Sequence, residues 1–262
     1  MDKTFRVLET FGPTVQGEGR RAGTPAYFIR FAGCDLRCTW CDSPAAVLPE
    51  LYKEQAVRLT SEEIVDRVKS LPAGPKWVVL TGGNPGLLQL STLVERLHAD
   101  NYKVMVETQG TLWKDWFYLT DEICLSPKPP SSGNTVTAET FNTFLKDRWT
   151  QSERQYLNFF QKAYLKVVVF NRSDYDYAKG MHRKFPKFEF FISSGTMTDT
   201  LPTISNPTPE IQNTSSTLQD TRIAVSAQYR KVCEWVAHDS EMQDVKVLPQ
   251  LHVIAWGDER GR

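Results

Sequence analysis

Three cysteines carry the clearest chemistry in this sequence, because Cys34, Cys38 and Cys41 follow one another at spacings of four and three residues. Three thiolates so close together favour a metal centre over a disulfide framework. A structural zinc site needs a fourth Cys or His, and the first to follow these cysteines is His98. Three thiolates on a four-iron cluster would instead leave one iron open to a chelating ligand. The spacing therefore indicates an iron–sulfur centre, with buried thiols or a zinc knuckle completed by the distant Cys124 as alternatives.

The cysteine loop also resembles the signature of the radical S-adenosylmethionine superfamily, which is CxxxCxxC with an aromatic residue, here Trp40, before the last cysteine. The resemblance implies that Cys34, Cys38 and Cys41 hold a 4Fe-4S cluster. It further implies that S-adenosylmethionine binds at the open iron, with Trp40 among its contacts. The rest of the chain must form a fold that presents this loop.

Composition limits the class of protein. Lysine and arginine total 31, as do aspartate and glutamate, so no overall charge favours binding to nucleic acid or to an anionic membrane. The start of the chain has no apolar signal core, and no apolar run reaches the length that crosses a bilayer. We therefore expect a cytoplasmic protein that contacts neither nucleic acid nor membrane directly. Reducing conditions suit an iron–sulfur cluster, and Cys124 and Cys233 are expected to serve packing.

Alternating strands and helices predict the fold. Apolar, β-rich runs typical of buried strands occur at 26–31, 76–80, 103–107, 122–125, 164–170 and 188–193. Helical patterns occur at 60–70, 88–99, 136–162 with a break at 150–152, 173–183 and 221–238. This alternation favours a parallel sheet with right-handed crossovers. We predict an α/β fold, an incomplete (β/α)6 barrel of parallel strands, formed by a single domain over residues 1–262.

Four other stretches carry weaker predictions. Residues 7–19 contain three glycines and Pro13, and residues 48–57 show no periodic pattern, so both are expected to be irregular. Residues 195–221 are rich in Thr, Ser, Pro, Asn and Gln, which predicts a disordered connection or a lid. Residues 245–257 are expected to include a final strand that carries His252.

Polar residues at the ends of the predicted strands are candidates for binding the cofactor, because ligands of parallel α/β folds bind there. In the superfamily that the cysteine loop resembles, two glycines and an acid follow the second strand, and the acid meets the ammonium of S-adenosylmethionine. Here Asn84 stands in place of that acid. The S-adenosylmethionine contacts implied are Trp40, Gly82, Gly83, Asn84, Glu107, Thr108, Ser126 and Lys128.

A closer resemblance is to the 7-carboxy-7-deazaguanine synthases, which carry a Gln-Gly-Glu-Gly loop, a strand and then the cysteine loop. The same order occurs here from Gln16 onward, together with a Ser-Pro-Lys sequence at 126–128 and Pro-Gln-x-His before a Trp-Gly pair near the C-terminus. A single arginine in an apolar strand, Arg30, is costly unless it meets a ligand or a carboxylate. Arg30 therefore either binds the carboxylate of a substrate or pairs with Glu18 or another acid. The substrate contacts expected are Gln16, Glu18, Arg30, Gln250 and His252.

The resemblance implies a reaction and its requirements. The reaction is conversion of 6-carboxy-5,6,7,8-tetrahydropterin to 7-carboxy-7-deazaguanine with release of ammonia, started by reductive cleavage of S-adenosylmethionine. The resemblance also implies a magnesium ion held partly by Ser43, an electron donor such as flavodoxin, and a homodimer. Two other functions stay open: a radical S-adenosylmethionine activating enzyme that acts on a glycyl radical protein, and a zinc-binding module without catalytic activity.

Overall fold

The computed structural model describes residues 3–146, 153–195, 215–257, 259 and 261. Its strands are β1 (Phe5–Val15), β2 (Pro25–Phe31), β3 (Val57–Leu59), β4 (Trp77–Gly82), β5 (Lys103–Thr108), β6 (Glu122–Leu125), β7 (Ala163–Val169), β8 (Glu189–Ser194) and β9 (Lys246–Leu248). In the described part of the chain they form one nine-stranded sheet in the order β3-β1-β2-β4-β5-β6-β7-β8-β9. Every pair from β2 to β9 is parallel, and β1 is antiparallel to both of its neighbours.

The predicted α/β fold, an incomplete parallel barrel, is confirmed by this sheet. The six predicted strands are β2 and β4 to β8, with bounds shifted by no more than two residues. The prediction that residues 7–19 are irregular was wrong for most of that stretch, because β1 continues to Val15. The Gly12–Pro13 pair is accommodated where the register against β2 shifts between Phe11 and Thr14, since a bulge lets a strand absorb residues that do not fit the ladder.

The helices connect the strands and cover one face of the sheet. They are α1 (Pro44–Val47), α2 (Pro49–Gln55), α3 (Ser61–Ser70), α4 (Ser91–Ala99), α5 (Ala138–Lys146), α6 (Glu153–Lys162), α7 (Arg172–Lys184), α8 (Ser215–Ala237) and α9 (Leu251–Trp256). The predicted N-terminal cap of α3 is confirmed, because Thr60 and Glu63 form a reciprocal capping box. None of the helices among the described residues is both long and apolar enough to cross a membrane.

Three predictions about connections were wrong. Residues 48–57 are not irregular, because α2 fills most of the stretch and β3 begins at Val57. The last long helix begins at Ser215 rather than at 221, so the predicted loop at 195–221 is shorter than expected. His252 lies in α9 and not in a strand, since Pro249 follows β9 and cannot donate to a sheet ladder. The predicted break at 150–152 and the rest of the predicted loop fall outside the described residues.

The two faces of the sheet differ, because side chains alternate along each strand. Ile29 and Leu80 belong to the larger core that packs against the helices. The opposite face, which we call the inner face, carries a smaller apolar cluster of Ala26, Phe28, Val79, Met105, Cys124, Tyr164 and Phe191. Cys124 is therefore a packing residue, as predicted. Two residues further along these strands, the same alternation places Arg30, Thr81, Glu107, Ser126 and Lys166 on the inner face.

We expect the cap of α7 to contribute measurably to stability. The Oδ1 atom of Asn171 accepts a hydrogen bond from the backbone N–H of Asp174 at 3.0 Å, and loss of such a cap costs about 1 kcal/mol. Asn171→Ala should lower the free energy of unfolding of the apo protein by about that amount in urea denaturation, because a helix N–H loses its acceptor. Asn171→Asp keeps the acceptor and serves as the control. Equal stability of the Ala variant and the unsubstituted protein would contradict the assignment.

Candidate functional site

The loop after β1 enters the inner face from the amino ends of the parallel strands, because β1 ends beside Pro25 at the start of β2. It brings Gln16 and Glu18 to the two charged residues that alternation places in the middle of the sheet, Glu107 on β5 and Lys166 on β7. These four residues, Gln16, Glu18, Glu107 and Lys166, are called the inner charge cluster below. They are remote in sequence and come together only in the folded chain.

The inner charge cluster is joined by direct contacts. The Nζ atom of Lys166 forms a close ion pair with Glu18 Oε2 and lies 3.9 Å from Glu107 Oε1. Gln16 Nε2 donates to Glu107 Oε1 at 3.1 Å, and Thr81 Oγ1 donates to Glu107 Oε2 at 3.0 Å. The other carboxylate oxygen of Glu18, Oε1, is buried and accepts no hydrogen bond of normal geometry. A side-chain hydrogen bond from Gln250 also reaches the Glu18 carboxylate and helps to lower its pKa.

Burial makes this ion pair strong. The side chains of Lys166 and Glu18 are only 6% and 13% exposed. Burial alone would raise the pKa of Glu18, but the charges of Lys166 and His252 outweigh burial and hold that pKa at about 2. Burial would likewise lower the pKa of Lys166, yet Glu18 and Glu107 raise it above the ordinary lysine value. Both groups are therefore charged near neutral pH.

The C-terminal segment closes the inner charge cluster on one side. The backbone N–H of Leu251 donates to the carbonyl oxygen of Gly17 at 3.1 Å. A β-carbon on Gly17 would lie 2.0 Å from Nδ1 of His252, so only a glycine lets the imidazole approach the loop this closely. Gln250 and His252 both help to lower the pKa of Glu18. The structure thus brings four of the five predicted substrate residues, Gln16, Glu18, Gln250 and His252, into one region.

Arg30, the fifth predicted substrate residue, already has two partners. Its Nε donates to Glu9 Oε1 at 2.6 Å, and its Nη1 donates to Ser43 Oγ at 2.7 Å. Pairing with a carboxylate, the alternative left open by the sequence, is therefore present, although the acid is Glu9 and not Glu18. Nη2 lies outside these two contacts. Arg30 also fixes Ser43, so the strand and the end of the cysteine loop are joined by one guanidinium.

The three thiols lie near one another, because Cys34 influences the pKa of Cys38, and both influence the pKa of Cys41. Burial raises the pKa of Cys34 and Cys38, and it raises that of Cys41 to about 12. The ammonium of Lys128 lowers the pKa of Cys34 and Cys38 and so opposes burial. Partly buried thiols beside a cation fit a group that binds them as thiolates and carries positive charge of its own. The loop therefore fits an iron–sulfur cluster.

The turn after β4 packs against the backbone of the cysteine loop. A β-carbon on Gly83 would lie 2.0 Å from the carbonyl oxygen of Gly33, so this contact requires a glycine. The next residue, Asn84, is 1% exposed. Its Nδ2 donates to Asp35 Oδ1 at 2.7 Å, while its Oδ1 accepts from Gly86 N at 3.0 Å and from Thr108 Oγ1 at 2.8 Å. Asn84 thus joins the cysteine loop to the ends of β4 and β5.

The remaining predicted cofactor residues surround the same edge of the sheet. The backbone N–H of Ser126 donates to the carbonyl oxygen of Thr108 at 2.7 Å, and Lys128 Nζ donates to Ser126 Oγ at 3.4 Å. The Lys128 ammonium lies 5.9 Å from the centre of the Trp40 ring. Trp40 itself donates from Nε1 to Ser131 Oγ at 2.9 Å. Predicted cofactor residues and the cysteine loop therefore share the carboxyl ends of the strands, whereas Glu107 contacts the predicted substrate residues instead.

Sequence reasoning missed two residues that the geometry places at the centre of the site. Lys166 is the only charge in a strand of apolar residues, which is the same signal that identified Arg30. Asp35 follows the first cysteine and carries no pattern of its own. Its carboxylate accepts from Gln109 Nε2 at 2.6 Å and from Thr111 Oγ1 at 2.5 Å, besides the bond from Asn84. Only tertiary contacts reveal its importance.

Removal of one partner of the buried ion pair should be more harmful than removal of both. Lys166→Met should lower the free energy of unfolding of the apo protein by about 3 to 5 kcal/mol, because the Glu18 charge would stay buried without a cation. The double variant Glu18→Gln with Lys166→Met removes both charges and should recover most of the loss. Urea denaturation at neutral pH measures all three proteins. Equal destabilisation of the single and double variants would contradict the assigned pairing.

The ion pair between Glu18 and Lys166 predicts how the stability of the fold depends on pH. The pKa of Glu18 is about 2 in the fold, against an ordinary value of 4.5. The stability that this depressed pKa contributes is fully present above pH 4.5 and is lost as the pH falls from 4.5 towards 2. In Glu18→Gln this loss of stability should be absent, so the free energy of unfolding should fall less steeply between pH 4.5 and pH 2 than in the unsubstituted protein. An equally steep fall in the two proteins would show that Glu18 is not ionised in the fold.

Comparison with known proteins agrees with this geometry. The family model described as Radical SAM superfamily matches residues 28–164, which begin within β2 and include the cysteine loop and the strands up to the start of β7. The chain is 36% identical over 263 aligned residues to the 7-carboxy-7-deazaguanine synthase of Bacillus subtilis, and both chains are covered completely. It is 35% identical to the synthase of the same name from Bacillus cereus, with coverage of 97% of this chain and 98% of that one.

A solved structure supports the fold. The crystal structure of QueE from Escherichia coli is similar with a TM-score of 0.60 and 20% sequence identity, and the match covers 95% of each chain. The full-length identity to the curated relatives and the family model matched by the cysteine-containing half of the chain lead to the same assignment. The chain belongs to the radical SAM superfamily and, within it, to the 7-carboxy-7-deazaguanine synthases.

Proposed function

We propose that this enzyme converts 6-carboxy-5,6,7,8-tetrahydropterin to 7-carboxy-7-deazaguanine with release of ammonia. The observation that carries the proposal is the inner charge cluster, a set of buried donors and acceptors on the inner face next to the strand ends that hold the cysteine loop. A flat bicyclic substrate with several N–H groups, ring nitrogens and a carboxylate needs such groups to be fixed in advance. A 4Fe-4S cluster held by the three cysteines would cleave bound S-adenosylmethionine and so supply a 5′-deoxyadenosyl radical, which removes a hydrogen atom from the substrate.

The residues of the inner face have separate tasks in binding. Glu18 is a buried, ionised carboxylate, so it suits an N–H of the pterin ring. Gln16 and Glu107 fix each other and offer a further donor and acceptor. Lys166 keeps Glu18 ionised, which keeps it an acceptor only. Because Glu107 contacts these groups, we assign it to the substrate and not to S-adenosylmethionine.

Arg30 and His252 bind the carboxylate of the substrate. Arg30 lies on the inner face with Nη2 outside its contacts to Glu9 and Ser43, so one edge of the guanidinium can meet an anion. His252 approaches from the C-terminal helix α9 at the opposite side of the loop. The apolar side chains of the inner face, among them Phe28, exclude water beneath this region. Exclusion of water protects a carbon radical from side reactions and strengthens the polar contacts.

Magnesium does not fit the contacts of Ser43. The Oγ atom of this residue accepts from the guanidinium of Arg30 at 2.7 Å, and a second cation there would be repelled. We assign no step to magnesium.

The other cofactor residues and partners complete the proposal. Trp40, Gly82, Gly83, Thr108, Ser126 and Lys128 form the S-adenosylmethionine site at the carboxyl ends of the strands. An electron donor such as flavodoxin delivers the electron, and the enzyme works in the cytoplasm as a homodimer. The chain acts as one domain over 1–262, and the segment around 195–221 is a connection or lid of that domain. Activity of protein reconstituted with iron and sulfide under anaerobic conditions tests the proposal, and full S-adenosylmethionine cleavage without any deazaguanine would overturn it.

The cysteine loop predicts which thiols hold iron. Cys34→Ala, Cys38→Ala and Cys41→Ala should each abolish the broad visible absorption of the reconstituted protein, because each removes one thiolate from the cluster. Cys124→Ala should keep the absorption and lose about 1 kcal/mol of stability, since this thiol only packs on the inner face. Iron content is measured together with absorption. Full absorption in all three loop variants would disprove the assigned ligands.

The carboxylate-binding residues predict a loss of product without loss of the cofactor. Arg30→Ala and His252→Ala should form deazaguanine about a hundredfold more slowly, because substrate groups would be left buried and unpaired. Both should still bind S-adenosylmethionine and cleave it slowly without substrate. Arg58→Ala and His98→Ala are matched controls on exposed positions and should react normally. Near-normal turnover in Arg30→Ala and His252→Ala would show that the substrate lies elsewhere.

A further inference from the structure

The residue at position 84 raises the question of what binds the amino group of S-adenosylmethionine. An amide oxygen has two lone pairs. In the fold, Asn84 Oδ1 accepts one hydrogen bond from Gly86 N at 3.0 Å and another from Thr108 Oγ1 at 2.8 Å. The side chain is 1% exposed, and its Nδ2 points to Asp35 as a donor. Asn84 therefore has no acceptor capacity left for an amino group.

Asp35 has the capacity that Asn84 lacks. An ionised carboxylate offers about four acceptor positions. Asp35 Oδ1 accepts from Asn84 Nδ2 at 2.7 Å and from Gln109 Nε2 at 2.6 Å, and Oδ2 accepts from Thr111 Oγ1 at 2.5 Å. One position on Oδ2 is therefore not filled by these contacts, and Asp35 is solvent-exposed, so a ligand can reach it. Three donors from two loops also hold the carboxylate in one orientation.

Asp35 lies beside the cluster ligands. It directly follows Cys34 in the chain, and Gln109 Nε2 lies 3.5 Å from Cys34 Sγ while it donates to Asp35. A ligand bound at the open iron of a cluster held by these cysteines would lie close to their sulfurs. Asp35, whose hydrogen-bond donors follow β4 and β5, would therefore lie within reach of the amino group of S-adenosylmethionine bound there.

Two other carboxylates near the site are less suitable. Asp42 directly follows Cys41 at the end of the cysteine loop, where its charge raises the pKa of that thiol. Glu107 points into the inner charge cluster, where its oxygens contact Gln16, Thr81 and Lys166. Neither contacts the turn after β4. Asp35 is the carboxylate that both the glycine turn and the first cysteine bring to the cofactor.

We propose that the carboxylate of Asp35 accepts the α-amino group of S-adenosylmethionine, and that Asn84 serves to position Asp35. The inference rests on the cofactor assigned under the proposed function, but it does not depend on the identity of the substrate. In this arrangement Asp35 of the cysteine loop supplies the negative charge, and Asn84, which follows the two glycines, holds Asp35 in place through its Nδ2 donor.

Ligand binding to the reconstituted protein tests this inference without any turnover. Calorimetry should compare S-adenosylmethionine with the analogue that lacks only the α-amino group. Asp35→Asn removes the charge but keeps an oxygen in place of Oδ1 for Asn84 and Gln109, while its amide nitrogen can donate to the Thr111 hydroxyl, so the loop retains its shape. This variant should bind S-adenosylmethionine about tenfold more weakly and the deamino analogue with unchanged affinity. Asp35→Glu keeps the charge and should largely restore the preference for the amino ligand.

Controls separate this inference from the proposed function. Asp42→Asn removes an equal charge from the same loop and should leave the ratio of the two affinities unchanged. If Asp35→Asn fails to assemble the cluster, Asp35→Ala is measured in its place with the same expectation. An unchanged ratio in an Asp35 variant with a full cluster, or an equal change in Asp42→Asn, would overturn the inference alone. Failure of the unsubstituted protein to bind S-adenosylmethionine would overturn the proposed function as well.

Discussion

The buried ion pair between Glu18 and Lys166 is the constraint on which the site depends. Taking two charges out of water costs several kcal/mol for each ion, and close pairing in a poorly solvated interior recovers that cost only when the geometry is good. The pair therefore fixes the loop after β1 against a strand in the middle of the sheet. Gln16 and Glu107 lie beside this pair and are hydrogen-bonded to each other. The C-terminal helix α9 is held against the same loop by the hydrogen bond from the backbone N–H of Leu251 to the carbonyl oxygen of Gly17.

The sheet explains why the two halves of the site are adjacent but chemically different. Its inner face changes along each strand from apolar residues, such as Phe28, to polar ones, such as Arg30. Beyond the strand ends the loops supply the cysteines and a neutral, hydrogen-bonded turn. A substrate bound on the face and a cofactor bound on the loops would then meet at the boundary between them. Their reacting atoms are brought together by the fold and not by any one flexible segment.

The cysteine loop is held by polar contacts more than by packing. Asp35 receives three side-chain hydrogen bonds, and Arg30 binds Ser43 at the far end of the loop. A loop that must accept a cluster cannot be filled with apolar side chains, because the cluster would need that space. Hydrogen bonds to a fixed carboxylate hold the backbone in place while leaving the sulfurs accessible. An amide suits position 84 for the same reason, because its Nδ2 donates to Asp35 while its Oδ1 accepts from Gly86 N and Thr108 Oγ1.

The sequence by itself determined the parallel sheet, the six central strands and the cysteine loop, because these follow from local patterns: apolar period, turn residues and the spacing of three thiols. It also indicated Gln16, Glu18 and His252, through resemblance. Only the tertiary structure decided that Lys166 pairs with Glu18 and that Asp35 receives hydrogen bonds from the turn after β4 and the loop after β5. A lone charge in an apolar strand indicates that a partner exists but not which one, and a lone acid in a loop has no local signal, because the partners come from residues far away in the chain. The antiparallel β1 and the helix that carries His252 were missed for the same reason, since glycines and prolines mark breaks in a pattern but not the neighbours that accommodate them.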